Sequence, residues 1–327
     1  MPRRWLTWLV LGALIAVGAV AGVDALRSSD SDTSPTAANE PVSTTTTNGS
    51  TTDVDGWIAY GDGDGIWAVD PRRSVDRLRL SGRSGEPVAW SSDGAKLLIL
   101  RRATEGASLR TGLFLLRADG TESKVLELPS LLDASLSPDG SQIVYSRFGS
   151  GMYAVDSNGG SRRLLRPRAR RWYSDEKASF RTEVFSPAFS PDGRKIAYFD
   201  GMGDWGNGLR VMNADGSHVR VLMDNEAEPA LADHPSSLAW SPDGSRLAFD
   251  TDNGIWVVDA NGNGLTKVVG AGANPTWSPD GSRLAYATQG EFDFWASVRV
   301  VDADGRHVQQ VVDGGPGAWN PVEPVGG

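Results

Sequence analysis

Three observations predict an all-β chain folded as a six-bladed β-propeller of four-stranded antiparallel blades. The turn S-P-D-G recurs at Ser137–Gly140, Ser190–Gly193, Ser241–Gly244 and Ser278–Gly281, with S-S-D-G at Ser91–Gly94. Each copy follows a large apolar residue (Trp90, Leu136, Phe189, Trp240 or Trp277) and precedes a short apolar run such as Leu247-Ala248-Phe249. A second run then leads into an Asp-rich turn at 117–120, 213–216, 259–262 and 302–305. A repeat of this period decides the architecture before any local reading.

Each unit reads as strand, turn, strand, loop, strand, turn, strand. In the unit 238–269 the strands are Leu238–Trp240, Arg246–Asp250, Gly254–Asp259 and Leu265–Val269. S-P-D-G suits a type I turn, with Ser first, Pro presetting φ at the second position and Gly fourth. Runs such as Ile255-Trp256-Val257-Val258 are apolar at every position, so both faces of the sheet are covered. Repeated antiparallel sheets covered on both faces are the blades of a propeller.

Blade number follows from spacing. Trp90, Leu136, Phe189, Trp240, Trp277 and Trp319 are separated by 46, 53, 51, 37 and 42 residues. The unit at Trp319 has only a first strand, and the unit at Trp57–Tyr60, Ile66–Asp70 and Leu78–Leu80 lacks one. Together they make one blade, which closes the ring and removes sheet edges. This gives 56–321 as the propeller and 322–327 as a tail.

The repeats, of the form x-P-x-W-S-P-D-G-x-x-L-A-F/Y followed by I-W-V-V-D-A, resemble the TolB-type, WD-like propeller repeats; Asn274–Tyr286 is the nearest match. The resemblance covers about residues 56–321. It implies six blades, and functions ranging from periplasmic scaffolds that bind partner proteins to propeller domains attached to serine peptidases.

Composition narrows function. The 327 residues carry 32 basic and 41 acidic side chains, a net charge of −9, which argues against a nucleic-acid partner. Cysteine is absent, which excludes thiol nucleophiles, thiolate metal sites and disulfides. Residues 1–26 form an anchor or signal segment: Arg3 and Arg4 precede an uncharged, apolar run from Trp5 to Val23. Nineteen residues at about 1.5 Å each span roughly 28 Å, close to a hydrocarbon core. Positive charge inside places the remainder outside the cytoplasm, as a single-pass membrane protein; cleavage near Ala19-Val20-Ala21 is the alternative and gives a secreted form. Residues 27–55, with 14 Ser or Thr in 29, are expected to be a disordered tether.

Catalytic signatures are missing. No G-x-S-x-G elbow, P-loop or His-x-x-x-His spacing occurs. His218 and His307 share one place in their units, two residues beyond an Asp-Gly turn, which reads as a solvated turn position; His234 lies with Asp233 in a long loop. Asp62-Gly-Asp-Gly65 and Asp250–Gly254 look superficially like calcium loops but lack the late carboxylate, and turns explain them better. No cofactor and no metal are expected.

S-P-D-G and D-A-D-G turns all emerge on one face of the ring, here the uniform face. The loops between second and third strands, and those between blades, emerge on the other and vary in length: Arg101–Thr111, Leu165–Glu183, Asp200–Leu209, Asp224–Ser237 and Thr288–Ser297. Function on a rigid scaffold concentrates in such loops. Two constellations on this diversified face are candidate partner sites. Arg162, Arg163, Arg166, Arg168, Arg170 and Arg171, followed by Trp172 and Tyr173, suit acidic groups, although a solvated loop balanced by Asp175 and Glu176 explains them too. Trp205, Phe292, Phe294 and Trp295 are aromatic contacts of the kind used for protein or carbohydrate, although Phe294 and Trp295 also fit the start of a strand. The expected function is a non-catalytic, membrane-tethered propeller that binds an envelope protein or acidic surface polymer. The alternative is a carbohydrate-active enzyme with carboxylates in the central channel.

Overall fold

The computed structural model describes residues 56–322 except 106–107, 168, 173–178, 203–204, 225–230, 232–233 and 290–294. The anchor, the tether, Arg168, Tyr173, Asp175, Glu176, Asp233, Phe292 and Phe294 therefore lie outside the described residues. Among the described residues, no helix is long and apolar enough to cross a membrane.

Among the described residues, twenty-five strands run in chain order. Blade 1 takes β1 (Ile58–Asp62), β2 (Gly65–Asp70) and β3 (Arg73–Ser81). Blade 2 takes β4 (Glu86–Trp90), β5 (Lys96–Glu105), β6 (Ser108–Arg117) and β7 (Glu122–Pro129). Blade 3 takes β8 (Leu131–Leu136), β9 (Gln142–Arg147), β10 (Gly151–Asp156) and β11 (Arg163–Pro167). Blade 4 takes β12 (Ala169–Trp172), β13 (Ser179–Phe189), β14 (Lys195–Met202), β15 (Trp205–Asn213) and β16 (Arg220–Asp224). Blade 5 takes β17 (Leu238–Trp240), β18 (Arg246–Thr251), β19 (Gly254–Asp259) and β20 (Thr266–Val269); blade 6 takes β21 (Ala273–Trp277), β22 (Arg283–Gln289), β23 (Trp295–Asp302) and β24 (Gln309–Val312). The last strand, β25 (Gly317–Trp319), joins β1 with Ile58 opposite Trp319 and so supplies the innermost strand of blade 1. Six blades result, closed by the two ends of the described chain. The innermost strands β25, β4, β8, β13, β17 and β21 touch in cyclic order.

The unbroken apolar runs now have a physical cause. Buried apolar residues fall into six clusters among the described residues, one at each junction between successive blades. Side chains alternate along a strand, so β5 sends Leu98 and Leu100 toward blade 3, and Leu97 and Ile99 toward blade 1. A strand serving two cores has no polar face to show.

The turns work as expected, with one addition. In S-P-D-G the serine hydroxyl donates to the aspartate two residues on, at 2.6 Å in all five copies. The same hydroxyl accepts from the backbone N–H five residues on, at 2.9 Å. Hydrogen bonding of this kind, led by Ser241, holds the Asp243 carboxyl down to about 2. Each closing glycine has φ between 64° and 69°, which a Cβ would strain.

The preceding aromatic does more than fill space. Trp90, Trp240 and Trp277 each donate their indole N–H to a carbonyl of the preceding blade's inner strand: Ala318 at 3.1 Å, Ala188 at 3.1 Å and Ala239 at 3.2 Å. Trp319 donates to Gly56 at 2.7 Å. Leu136 and Phe189 lack that donor. At blade 4 the backbone N–H of Phe189 instead reaches Ser135 Oγ at 3.2 Å.

Where they are described, three of the five segments expected to be variable loops are strand extensions. β5 and β6 stay paired out to Glu105 and Ser108, and β14 and β15 out to Met202 and Trp205. Within Leu165–Glu183, β12 pairs with the first residues of β13, from Ala169 opposite Thr182 to Trp172 opposite Ser179. Because β13 is the innermost strand of blade 4, this hairpin continues on the axis side of the diversified face.

Removing residues 316–327 deletes β25, and the melting temperature is expected to fall sharply; an unchanged melt would refute closure by this strand. At Trp277, which is 5% exposed and carries Arg246 at 4.6 Å over its ring, substitution by Ala should cost about 3–5 kcal/mol. Trp277→Phe should cost nearer ~1 kcal/mol for the lost hydrogen bond, and urea unfolding separates the two.

Candidate functional site

The six inner strands surround a central bore of about 470 Å³. Aligned on the aromatic position, the residues three places earlier form a ring toward the diversified face. Going around the blades these are Pro316, Pro87, Asp133, Ser186, Ser237 and Asn274. Two neighbouring blades supply proline and the other four supply polar groups. Just here the inner strands shift register against their partners, between Pro87 and Ala89, Leu131 and Ala134, Phe185 and Ala188, and Ala273 and Thr276. Ser186 and Asn274 adopt left-handed backbone, φ 49° and 54°, a conformation that is costly for non-glycine residues and concentrates at binding sites.

The polar half divides into two networks. In the first, Ser237 donates its hydroxyl to Asn274 Oδ1 at 2.6 Å. Buried Asp250 accepts from Ser236 Oγ at 2.6 Å and from Ser237 N–H at 2.9 Å, and burial pushes its pKa up. Asp250 also accepts from the backbone N–H of Asn274 on blade 6, and so ties blades 5 and 6 together. Asp62, in the other stretch resembling a calcium loop, accepts from the N–H groups of Asp64 and Gly65 and makes a turn.

The second network is centred on Asp133. Its Oδ2 accepts from the N–H and the hydroxyl of Ser186, both at 3.3 Å. Among the described residues no donor reaches Oδ1. Glu86 stands nearby, paired with Arg102 at 2.7 Å. Burial, reinforced by Glu86 and only partly offset by Arg102 and Ser186, pushes the Asp133 carboxyl up to about 6. A half-buried carboxylate that opens to the bore with half its acceptor capacity unused is poorly explained as a stabilising element. A second crevice of about 250 Å³ adjoins at the ring's closing seam, lined by Gly61, Asp62, Gly85 and Arg102 and sharing Glu86, Leu100 and Pro316 with the bore.

The arginine run does not form one cluster. β11 crosses the blade from the uniform face to the diversified face, so its arginines separate. Arg163 donates to the carbonyls of Ala214 and Asp215, in a uniform-face turn of blade 4, at 3.1 Å each. Arg162 stacks on Tyr153 at 4.5 Å, and Arg166 lies beside buried Tyr198. The expectation of a single patch on the diversified face therefore fails for Arg162 and Arg163. Arg170, Arg171 and Trp172 lie on β12, at the axis-side hairpin. Trp205 and Trp295 begin β15 and β23 on the diversified face. Of the histidines, His307 pairs with Asp302 at 2.6 Å and His234 with Asp252 at 2.8 Å. His218 shares the left-handed φ of 52° with His307, in keeping with a common turn position.

Sequence reasoning missed Glu86, Arg102, Asp133 and Asn274. The repeat alignment itself held the signal, because an Asp stands at 133 where the other units have Pro, Ser or Asn.

No family model matches the chain, and no curated protein does. Solved structures do. TolB from Acinetobacter baumannii superposes with a TM-score of 0.62 at 17% identity, over 82% of this chain and 67% of that one. A putative TolB from Agrobacterium tumefaciens gives 0.55 at 20%, over 82% and 94%. The fold is that of the TolB-type six-bladed propeller. An oligogalacturonate lyase in complex with manganese also superposes, with a TM-score of 0.51 at 13% identity over 71% of this chain and 70% of that one. At these identities the TolB-type likeness is one of fold, which hosts both binding proteins and enzymes.

The neutral form of Asp133 stabilises the fold. That contribution is complete below the ordinary value of 3.8 and is lost as pH rises through about 6. Asp133→Asn keeps the shape and cannot ionise. It should stabilise the fold at pH 7.5 by at most about 3 kcal/mol, read as a higher melting temperature, and change stability little at pH 4. A destabilised variant at pH 7.5 would contradict this assignment.

Proposed function

We propose that the protein is a non-catalytic, membrane-tethered extracytoplasmic propeller that binds a protein or acidic polymer of the cell envelope through its diversified face. One contrast carries the reading. On the uniform face, the first serines and the aspartates of the four S-P-D-G turns and the S-S-D-G turn are consumed in turn hydrogen bonds. The opposite face bears the extended hairpins, the β12–β13 extension and the polar ring of the bore. The apolar run at 5–23 behind a basic start supplies the anchor, and the Ser/Thr-rich 27–55 the tether. A structurally similar propeller comes from a nidogen/laminin complex, with a TM-score of 0.57 at 13% identity over 80% of this chain and 93% of that one, so the architecture serves protein contacts elsewhere.

Crosslinking in intact cells, followed by identification of captured proteins, tests the reading. Capture should drop when Arg168, Arg170 and Arg171 become Ser together, and should weaken with ionic strength. Undiminished capture rejects the basic hairpin as the contact.

The two carboxylates of the bore, Glu86 and Asp133, support a second reading as a carbohydrate-active enzyme, because a carboxyl raised to about 6 suits a general acid. Against it, Glu86 is engaged by Arg102, and Trp90, Trp277 and Trp319 are packed away at 7%, 5% and 4% exposure. Turnover of an oligosaccharide that is abolished by Asp133→Asn would favour the enzyme.

A further inference from the structure

The bore offers an asymmetric ring: two prolines on one side, and Asp133, Ser186, Ser237 and Asn274 on the other. Three features define what such a ring can hold. First, Asp133 presents an unused carboxylate oxygen to the bore, with its other oxygen fixed by Ser186. Second, the neighbouring groups are neutral. Asn274 Oδ1 is already taken by Ser237, while the hydroxyl oxygens of Ser186 and Ser237 keep lone pairs for a donor. Third, the nearby Glu86 carries its own counter-ion in Arg102, so the local charge left unbalanced is about one negative unit.

A single uncompensated carboxylate with two or three neutral acceptors suits a monovalent donor. A calcium-like ion asks for six to eight oxygens, and a divalent charge would sit beside Arg102. A guanidinium demands a planar, two-oxygen acceptor, whereas one Asp133 oxygen is occupied. A primary ammonium, compact and with three donors, matches one carboxylate oxygen and two hydroxyls. Its methylene stem would lie against Pro87 and Pro316, the way long basic side chains cover apolar surface.

We propose that the channel mouth is a binding site for a primary ammonium group, presented by a lysine side chain of the partner protein and held by Asp133 with Ser186 and Ser237. The proposal deepens the scaffold reading above and rests on it for the partner. It also gives the half-buried carboxylate at the bore its missing donor. Binding requires the ionised carboxylate, so affinity should fall as pH drops through about 6. The charged groups that act on Asp133 in this range are Glu86 of β4 and Arg102 of β5.

The full-length protein in detergent micelles is titrated with N-acetyl-lysine methylamide, and its ε-acetylated form serves as the neutral control. Saturable binding of the lysine compound alone is expected at pH 7.5. It should weaken roughly tenfold or more at pH 5, and equally in Asp133→Asn at either pH, as the loss of a charge-assisted hydrogen bond requires. Arg102→Gln, at a side chain 47% exposed, removes the competing positive charge but also a group that keeps Asp133 ionised; at about pH 9, where Asp133 is ionised and the lysine ammonium still charged, it should tighten binding. Equal binding of the two compounds, or full affinity in Asp133→Asn, overturns the site, as does weaker binding in Arg102→Gln at that higher pH. Partner capture in cells separates the two layers. Capture that persists while the probe fails to bind overturns the ammonium site and leaves the scaffold reading intact. Probe binding with no captured partner overturns the scaffold reading instead. Capture that a saturating concentration of the probe leaves unchanged overturns the partner lysine as the source of the ammonium.

Discussion

Everything in this molecule depends on closing a ring. Blades packed face to face leave the first and last with open faces unless the circle completes. Here β25 pairs with β1, Trp319 donates to Gly56, and Trp90 of blade 2 donates back to Ala318. The final strand is thus bonded on both sides: within its own sheet, and to the next blade. Loss of either contact exposes two of the six inter-blade cores, since Ala318 and Trp319 belong to the clusters on opposite sides of blade 1.

Closure also creates the bore. Six inner strands converging on one axis must bend where they enter, and the register shifts and left-handed Ser186 and Asn274 are how they do so. The same convergence crowds side chains from successive blades into one ring. Stability would be served by small apolar residues throughout, as prolines provide in blades 1 and 2. Asp133 departs from that pattern and carries a desolvation cost on the ring's polar side. The raised carboxyl is the physical mark of that cost.

Much of the fold was legible because turn chemistry and strand period are local. S-P-D-G states its own hydrogen bonds, and the runs without polar alternation state that both faces are covered. The site was less legible. Six arginines close in sequence read as one patch, yet β11 rises about 3.3 Å per residue and carries Arg163 to the uniform face, while Arg166 packs by Tyr198. Proximity along an extended strand is not proximity in space.

The sequence by itself determined the repeat, the blade number, the closing strand and the identity of the uniform face. Each depends on contacts within a few residues or on a count. Only the tertiary structure decided which side chains meet at the axis. Glu86, Arg102, Asp133 and Ser186 come from three blades and owe their company to the curvature of the ring. No spacing along the chain encodes that curvature, because it arises from how six twisted sheets pack against one another.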